Sequence, residues 1–170
     1  GSGQIVDVGK GVDKSRIGER VWLWNAAFGR ANGTCAELIS IPESQAVKIN
    51  NDVSYESAAC MGIPASTAYY GVLANGSVEN KTVLISGGAG AVGFYGIQLA
   101  KLSGANVITT VSSDEKAEVA DDAGADKIIN YKNENVVEEV MKYTDNGGVD
   151  RIVEVEFGGN LAINKEIIKH

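Results

Sequence analysis

The residues of this sequence that are best suited to chemistry form a glycine-rich hexapeptide with the spacing G-x-G-x-x-G, Gly88-Ala89-Gly90-Ala91-Val92-Gly93. It directly follows the apolar run Thr82–Ile85 and begins a stretch of helical character that ends near Lys101. Glycines here allow a tight turn, a close approach of backbone to a ligand, and close packing of the helix on the strand. The first N–H groups of the helix would then face an anion. This strand-turn-helix context predicts a site for the pyrophosphate of a dinucleotide; the alternative is a glycine-rich helix entry without a ligand.

The window at the end of the next predicted strand indicates which dinucleotide binds. It reads Thr109-Thr110-Val111-Ser112-Ser113, and no acid appears before Asp114. An NAD site usually has an acid here, which binds the ribose 2′-hydroxyl. Ser112 and Ser113 can instead donate to a 2′-phosphate and Lys116 can offset its charge, so we expect NADPH. The alternative is that Ser113 only caps the following helix, and both interpretations can hold together.

Strands and helices alternate in the elements that must position these motifs. This alternation predicts right-handed crossovers and an α/β, Rossmann-type doubly wound parallel sheet of about four strands, with the order 3-2-1-4. The fourth strand would leave one backbone edge without a partner. The predicted strands are 81–86, 106–111, 127–130 and 149–155, and the predicted helices are 90–103, 114–123, 134–143 and 160–169.

The first part of the chain has a different pattern. Short β-branched runs at 4–8, 20–24, 34–41 and 45–49 are separated by Gly, Asn and Pro, which predicts a small β-rich unit. Between residues 54 and 76 the apolar and small residues have helical spacing, with a break predicted at Gly62-Ile63-Pro64. We therefore predict two domains, residues 1–49 and residues 50–170.

Composition excludes several kinds of partner and site. With 15 basic and 22 acidic residues the net charge is −7, which opposes binding to nucleic acid or to an anionic membrane. No apolar run approaches the ~18 residues that cross a bilayer, and the start does not resemble a signal peptide, so we expect a cytoplasmic protein. Cys35 and Cys60 lack metal or disulfide spacing and are expected to be buried thiols, and the only histidine is His170. No metal site is predicted.

Six stretches resemble the medium-chain dehydrogenase/reductase superfamily and, within it, the zinc-free quinone oxidoreductases of the zeta-crystallin type. The resemblance implies that residues 1–49 are part of a GroES-like catalytic domain and that residues 50–170 are the hinge helix and part of the NADP(H)-binding domain. It also implies that further strands of both domains, and the substrate-facing residues, lie outside these 170 residues. The fragment alone is then expected to be inactive, and the full-length protein to be a homodimer. The stretches are 18–21, 57–69, 83–93, 97–101, 121–126 and 128–131.

The resemblance also implies roles for individual residues. Gly90 to Gly93 match the pyrophosphate turn, and Ser112, Ser113 and Lys116 match the 2′-phosphate pocket. Tyr131 matches a tyrosine along the adenosine phosphate, with a strand-end aromatic packed on a helix as the alternative. Thr67 matches a residue on the nicotinamide side of the cleft, with a hydroxyl bonded to its own helix as the alternative.

The resemblance implies NADPH-dependent reduction of quinones or related enones by direct hydride transfer without zinc. Ile63 stands where the zinc-containing alcohol dehydrogenases have a cysteine ligand, and an isoleucine cannot bind zinc. The hydride chemistry would come from NADPH, while the protein supplies geometry and charge stabilisation. The alternative is a crystallin-like structural protein that binds NADPH with little turnover. The electron acceptor and the catalytic residues are not identified by these 170 residues.

Overall fold

The structure is a computed structural model that describes residues 1–169, so that His170 lies outside the described residues. Two compact units are present, a first unit formed by Gly1–Ser66 and a second unit that begins at Thr67. A long helix crosses the division between them. The domain boundary after residue 49 refers to family domains rather than to compact units, and it stays a prediction.

The first unit contains an antiparallel sheet of three short strands in the order β1-β2-β3. Residues of β2 alternate between intermediate and full burial, as expected for a strand with one face on a core. Short 3₁₀ turns at Lys14–Arg16 and Glu43–Gln45 lie between the strands. The strands are β1 (Ser2–Gln4), β2 (Arg20–Leu23) and β3 (Ala46–Lys48).

The strand predicted at 34–41 is wrong, because this segment is irregular. Ile39 and Ile41 pack against the small core of the first unit, so the apolar pattern reflects burial. No neighbouring strand pairs with the segment among the described residues, and a strand requires a ladder partner as well as apolar side chains. Cys35 lies here and is exposed, as is Cys60, so the expectation of buried thiols was also wrong.

Helix α1 (Tyr55–Leu73) runs without interruption through Pro64, so the predicted break is wrong. A proline inside a helix removes one hydrogen bond and costs about 3 kcal/mol. The helix retains its other hydrogen bonds, and Ala58, Ala68 and Val72 are fully buried along it. Burial of this face outweighs the local cost, which a sequence pattern alone does not reveal.

The C-terminal end of α1 is attached to the last strand of the second unit by Arg151. Its guanidinium donates to the carbonyl of Val72, to that of Asn75 at 2.7 Å, and to that of Gly76 at 3.1 Å. Helix ends leave such carbonyls without internal partners, so one arginine satisfies three acceptors. The part of α1 that carries Thr67 is thereby held against the sheet of the second unit.

The second unit is a parallel sheet in the order β6-β5-β4-β7, with helices between successive strands. This confirms the predicted Rossmann-type fold and its strand order 3-2-1-4. Among the described residues β7 pairs only with β4. The elements are β4 (Thr82–Ile85), α2 (Ala91–Leu102), β5 (Asn106–Val111), α3 (Asp114–Asp122), β6 (Lys127–Asn130), α4 (Val136–Tyr143), β7 (Arg151–Val153) and α5 (Phe157–Ile167).

Both faces of this sheet are covered, as a parallel sheet requires. Val83, Ile85 and Val107 belong to a core cluster that includes residues of α2 and α3, whereas Leu84 and Ile108 belong to a second cluster with residues of α4 and α5. Alternate residues of the strands therefore point to opposite helical layers. The fold places all carboxyl ends of the strands at one edge, where the predicted ligand site lies.

The predicted bounds of three elements in this unit were wrong by two or more residues. The fourth strand is Arg151–Val153 rather than 149–155, α4 begins at Val136 rather than at Glu134, and the last helix is Phe157–Ile167 rather than 160–169. The side chain of Glu156 accepts a hydrogen bond from the N–H of Gly159 at 3.3 Å and so caps this helix. Glutamate is an uncommon capping residue, which explains why the sequence pattern placed the start too late.

Candidate dinucleotide site

The turn between β4 and α2 begins at a glycine that the hexapeptide does not include. Gly87 has φ +67°, a left-handed conformation that favours glycine, and its carbonyl accepts from the N–H of Gly90 at 2.8 Å. Gly90 itself is extended and occupies the N-cap position of α2. Sequence reasoning missed Gly87, although the Gly-Gly doublet directly after a strand is the signal that could have found it.

Gly93 and Gly88 are required for close packing rather than for unusual backbone angles. A Cβ at Gly93 would overlap the carbonyl oxygen of Gly87 and would lie 2.9 Å from the Cα of Gly88. A Cβ at Gly88 would overlap Thr109 and would lie 3.0 Å from Cδ1 of Ile97. The first turn of α2 is therefore pressed directly onto the loop that leaves β4, which brings its N–H groups to the carboxyl edge of the sheet.

The N-terminal turn of α2 presents backbone donors without a capping side chain. Gly90 makes no side-chain capping bond, and Phe94 is the first residue whose N–H bonds back to it, at 2.8 Å. The N–H groups of Ala91, Val92 and Gly93 therefore have the unsatisfied geometry that is usual at a helix start. Together with the helix dipole they can hold an anion such as a pyrophosphate.

Two threonines of β5 hold this turn in place. The hydroxyl of Thr110 accepts from the N–H of Gly87 at 3.2 Å, and its carbonyl accepts from the N–H of Gly88 at 3.0 Å. The hydroxyl of Thr109 donates to the carbonyl of Ile85 at 2.6 Å. Both threonines are buried, so they brace the turn. The turn and the end of β5 form one connected structure.

The predicted 2′-phosphate residues lie together directly after β5. The ammonium of Lys116 donates to the hydroxyl of Ser112 at 2.8 Å, and the backbone N–H of Lys116 donates to the hydroxyl of Ser113 at 3.4 Å. Ser113 is the N-cap of α3, and its hydrogen bond holds the pKa of Glu115 below the usual range. Within residues 1–169 no carboxylate lies at ion-pair distance from Lys116, so its exposed charge is available to an anion.

Tyr131 and Thr67 are both exposed. The N–H of Tyr131 donates to the carbonyl of Val111 at 3.1 Å, which places the residue at the end of β6 beside the end of β5, and its side chain is 52% exposed. Thr67 lies on an exposed face of α1. The hydroxyl that bonds back to this helix is that of Ser66, which donates to the carbonyl of Gly62 at 2.8 Å. The cofactor contacts of Tyr131 and Thr67 stay predictions.

Glu154, which directly follows β7, forms a polar cluster that sequence reasoning missed. Its carboxylate accepts from the hydroxyl of Ser86 at 2.6 Å and from the side-chain amides of Asn160 at 3.1 Å and Asn164 at 2.9 Å. It also accepts from the backbone N–H groups of residues 155 and 156, at 2.9 and 2.8 Å. Burial raises the pKa of Glu154, but the hydrogen bonds from Ser86, Asn164, the residue 156 N–H and Asn160 together hold it below the usual range.

Two further observations concern metal sites and membranes. Over residues 1–169 no group of three or more His, Cys, Asp or Glu side chains is arranged to hold a metal ion, and Ile63 is exposed on α1. None of the described helices combines the length and the apolar character that a bilayer-spanning segment needs.

Known proteins similar to this chain include several oxidoreductases. The family model described as "Zinc-binding dehydrogenase" matches residues 91–161. The human quinone oxidoreductase is 25% identical over 170 residues, which cover 99% of this chain and 50% of that protein. A quinone oxidoreductase of Pseudomonas aeruginosa is 32% identical over 146 residues, which cover 85% of this chain and 44% of that protein. This chain thus spans about half the length of the curated relatives that it matches.

Solved structures show the same similarity in three dimensions. The Escherichia coli quinone oxidoreductase complexed with NADPH matches with a TM-score of 0.85 and 27% identity, over 99% of this chain and 51% of that one. The quinone oxidoreductase of Pseudomonas syringae matches with a TM-score of 0.83 and 28% identity, over the same shares of the two chains. In sequence and in fold, the chain is therefore similar to quinone oxidoreductases of the medium-chain dehydrogenase/reductase superfamily.

Proposed function

We propose that this chain binds NADPH and is part of an enzyme that reduces quinones or related enones by direct hydride transfer without zinc. The observation that carries the proposal is the uncapped N-terminus of α2 next to the exposed cluster of Ser112, Ser113 and Lys116. The Escherichia coli relative, whose solved structure contains NADPH, supports the choice of cofactor. Bound NADPH would supply the hydride, and the chain would bind and orient it.

Each part of the site has a defined task in this proposal. The backbone donors of residues 91–93 hold the pyrophosphate, and the Lys116 ammonium with the Ser112 hydroxyl holds the 2′-phosphate. Tyr131 would lie along the adenosine phosphate and Thr67 on the nicotinamide side. The net charge of −7 makes a local cation such as Lys116 more important for attracting the cofactor.

Cofactor selectivity tests the binding part of the proposal. Replacing Lys116 with Ala removes a charge-assisted contact worth ~1.5 to 3 kcal/mol, so the affinity for NADPH should fall roughly tenfold to a hundredfold. Affinity for NADH should not change, because NADH lacks the 2′-phosphate. Fluorescence titration with both cofactors measures these changes. The matched control is Lys142→Ala, since Lys142 lies in the last turn of α4, at the opposite edge of the sheet.

The proposal fails in its choice of cofactor if the protein binds NADPH and NADH equally well. An unchanged preference in Lys116→Ala would contradict the role of that residue. Equal losses in Lys116→Ala and Lys142→Ala would indicate a general effect of charge rather than a phosphate site.

The absence of zinc from the mechanism has a separate test. Ile63 offers no ligand atom at the position where the zinc-containing relatives have a cysteine, which supports direct hydride transfer. Elemental analysis of the dialysed protein is expected to find less than stoichiometric zinc. One zinc per chain would contradict this part of the proposal.

Turnover separates a reductase from a crystallin-like binding protein. In a protein with the full length of the relatives, NADPH oxidation should accelerate when a simple quinone is added, whereas binding without turnover would favour the crystallin-like alternative. We also expect that such a protein is a homodimer, which its mass in solution tests. A species whose intact mass equals that of these 170 residues is expected not to turn over, and turnover by it would contradict the need for further segments.

A further inference from the structure

The two strands that flank the reversal of strand order are linked by side chains at their carboxyl ends. The chain moves from β4 through β5 to β6 on one side and then returns to place β7 on the other side of β4. In open α/β sheets, ligands bind in the crevice outside the carboxyl ends at this point. Ser86 directly follows β4 and Glu154 directly follows β7, and their side chains are hydrogen-bonded at 2.6 Å.

The contacts of Glu154 join three elements around this crevice. Through Ser86 the carboxylate reaches the residue that precedes Gly87, where the pyrophosphate turn begins. Through Asn160 and Asn164 it reaches the first and second turns of α5. A Cβ at Gly87 would lie 3.7 Å from Cγ2 of Val155, so the loop after β7 directly adjoins the turn. The carboxylate therefore connects both loops to α5, in addition to the hydrogen bonds that Ser86 makes with Val153 and Val155.

An ionised carboxylate suits this position. Its two oxygens accept and do not donate, and five donors converge on them, four on Oε1 and one on Oε2. A glutamine could keep an oxygen for the four donors only if its amide N–H faced Asn164, whose buried side-chain amide would then have to flip to present its oxygen. The glutamine would also lack the charge that strengthens these hydrogen bonds.

We propose that Glu154 is a positioning residue for the dinucleotide site, which sets the separation between the pyrophosphate turn and the first turn of α5. This inference rests on the proposed binding of NADPH. Glu154 does not touch the cofactor in this proposal; it acts through Ser86 and the loop after β7. Replacing Glu154 should lower the affinity for ligands that extend into the crevice beyond the adenosine half. It should not change the affinity for ligands that contact only the cluster of Ser112 and Lys116.

Two ligands and three variants test this role. NADPH extends across the crevice, whereas adenosine 2′-monophosphate carries the adenosine and the 2′-phosphate without the pyrophosphate and the nicotinamide half. In Glu154→Gln we expect the Kd for NADPH to rise about tenfold, the loss typical of a charged hydrogen-bond partner, while the Kd for adenosine 2′-monophosphate changes less than about twofold. Ser86→Ala keeps the carboxylate and its other donors, so this variant should fold normally. Its Kd for NADPH should also rise, but by less than in Glu154→Gln, and its Kd for the smaller ligand should stay nearly unchanged. Glu156→Gln is the matched control, because it can keep the cap on Gly159 and does not reach β4.

A double variant distinguishes positioning from general damage. Glu154→Gln with Asn164→Asp returns a carboxylate to the cluster on the facing side chain, and should restore most of the affinity for NADPH. Equal weakening of both ligands in Glu154→Gln and Ser86→Ala, or unchanged NADPH binding in both, would overturn the inference while leaving the proposed function intact. If the unmodified protein binds neither ligand, the proposed function fails and this inference fails with it.

Discussion

The two sides of β4 differ in how their polar groups are used at the carboxyl edge. On the β5 side, the ammonium of Lys116 bonds a single hydroxyl and is exposed to solvent. On the β7 side, the carboxylate of Glu154 accepts from five donors, four on Oε1 and one on Oε2. An exposed charge with one partner can bind a ligand, whereas a charge with many protein partners mainly holds those partners in place. In the proposed function the β5 side would therefore bind the cofactor, and the β7 side would hold the surrounding loops in place.

The largest expected effect comes from a change that disturbs both sides at once. Gly93→Ala places a methyl group against the carbonyl of Gly87 and 2.9 Å from the Cα of Gly88, so the backbone must move. We expect the free energy of unfolding to fall by ~3 kcal/mol, at the upper end for overpacking, and NADPH binding to be lost. Chemical denaturation and cofactor titration measure the two effects.

The control for Gly93 is another glycine of the same helix. A Cβ at Gly96 would lie 3.4 Å from Cγ2 of Ile85, an ordinary van der Waals distance. Gly96→Ala should be neutral or stabilising by up to ~1 kcal/mol, since alanine is the better helix former. If both variants were equally destabilised, the close contact of Gly93 with the turn would not be the cause.

The pH dependence of stability sharpens the comparison on the β7 side. Because the pKa of Glu154 is below its ordinary value of 4.5, its contribution to stability is present above pH 4.5 and is lost as pH falls through the lowered value. At pH 7 we expect Glu154→Gln to be less stable than the unmodified protein by ~2 kcal/mol. This difference in the free energy of unfolding between the two proteins should become smaller below pH 4.5. A gap that stays constant from pH 7 to pH 3 would show that the carboxylate charge is not what the cluster requires.

The smallest expected effect separates two adjacent serines on the β5 side. Ser113→Ala removes the N-cap of α3 and should lower the free energy of unfolding by ~1 kcal/mol. Ser112→Ala removes no cap, so it should change stability by less than ~0.5 kcal/mol and weaken NADPH binding only. Thermal denaturation with and without NADPH measures both. A stability loss in Ser112→Ala equal to that in Ser113→Ala would mean that Ser112 is also structural.

The sequence predicted the second unit better than the first because the two units give different signals. In the second unit, apolar strands, helices and glycine stops follow one another at short distances, so local patterns indicate the elements and their order. In the first unit, residues 34–41 have the side chains of a strand, but no strand within residues 1–169 pairs with them, and pairing depends on distant parts of the chain. The same reason explains Pro64, where burial along α1 outweighs a local preference.

Within the site, the sequence indicated the residues with exposed groups and missed the residues that support them. The glycine motif and the cluster of Ser112, Ser113 and Lys116 have recognisable spacing over a few residues. Glu154 and Ser86 are 68 residues apart in the sequence, and no local sequence pattern predicts their contact. Cys60 was predicted from residue type to be buried and lies on an exposed helix face, because its environment depends on packing.

The position of β4 in the sheet affects how the chain folds while it is being synthesised. On one side β4 pairs with β5, about 24 residues later, but on the other side it pairs with β7, about 68 residues later. Synthesis at about 5–20 residues per second leaves the β7 side of β4 open for several seconds after β5 has emerged. The exposed edge carries Val83, Leu84 and Ile85, an apolar segment able to pair with other nascent chains. Demand for chaperones on the ribosome should therefore peak before residue 153 emerges and decline once β7 has docked.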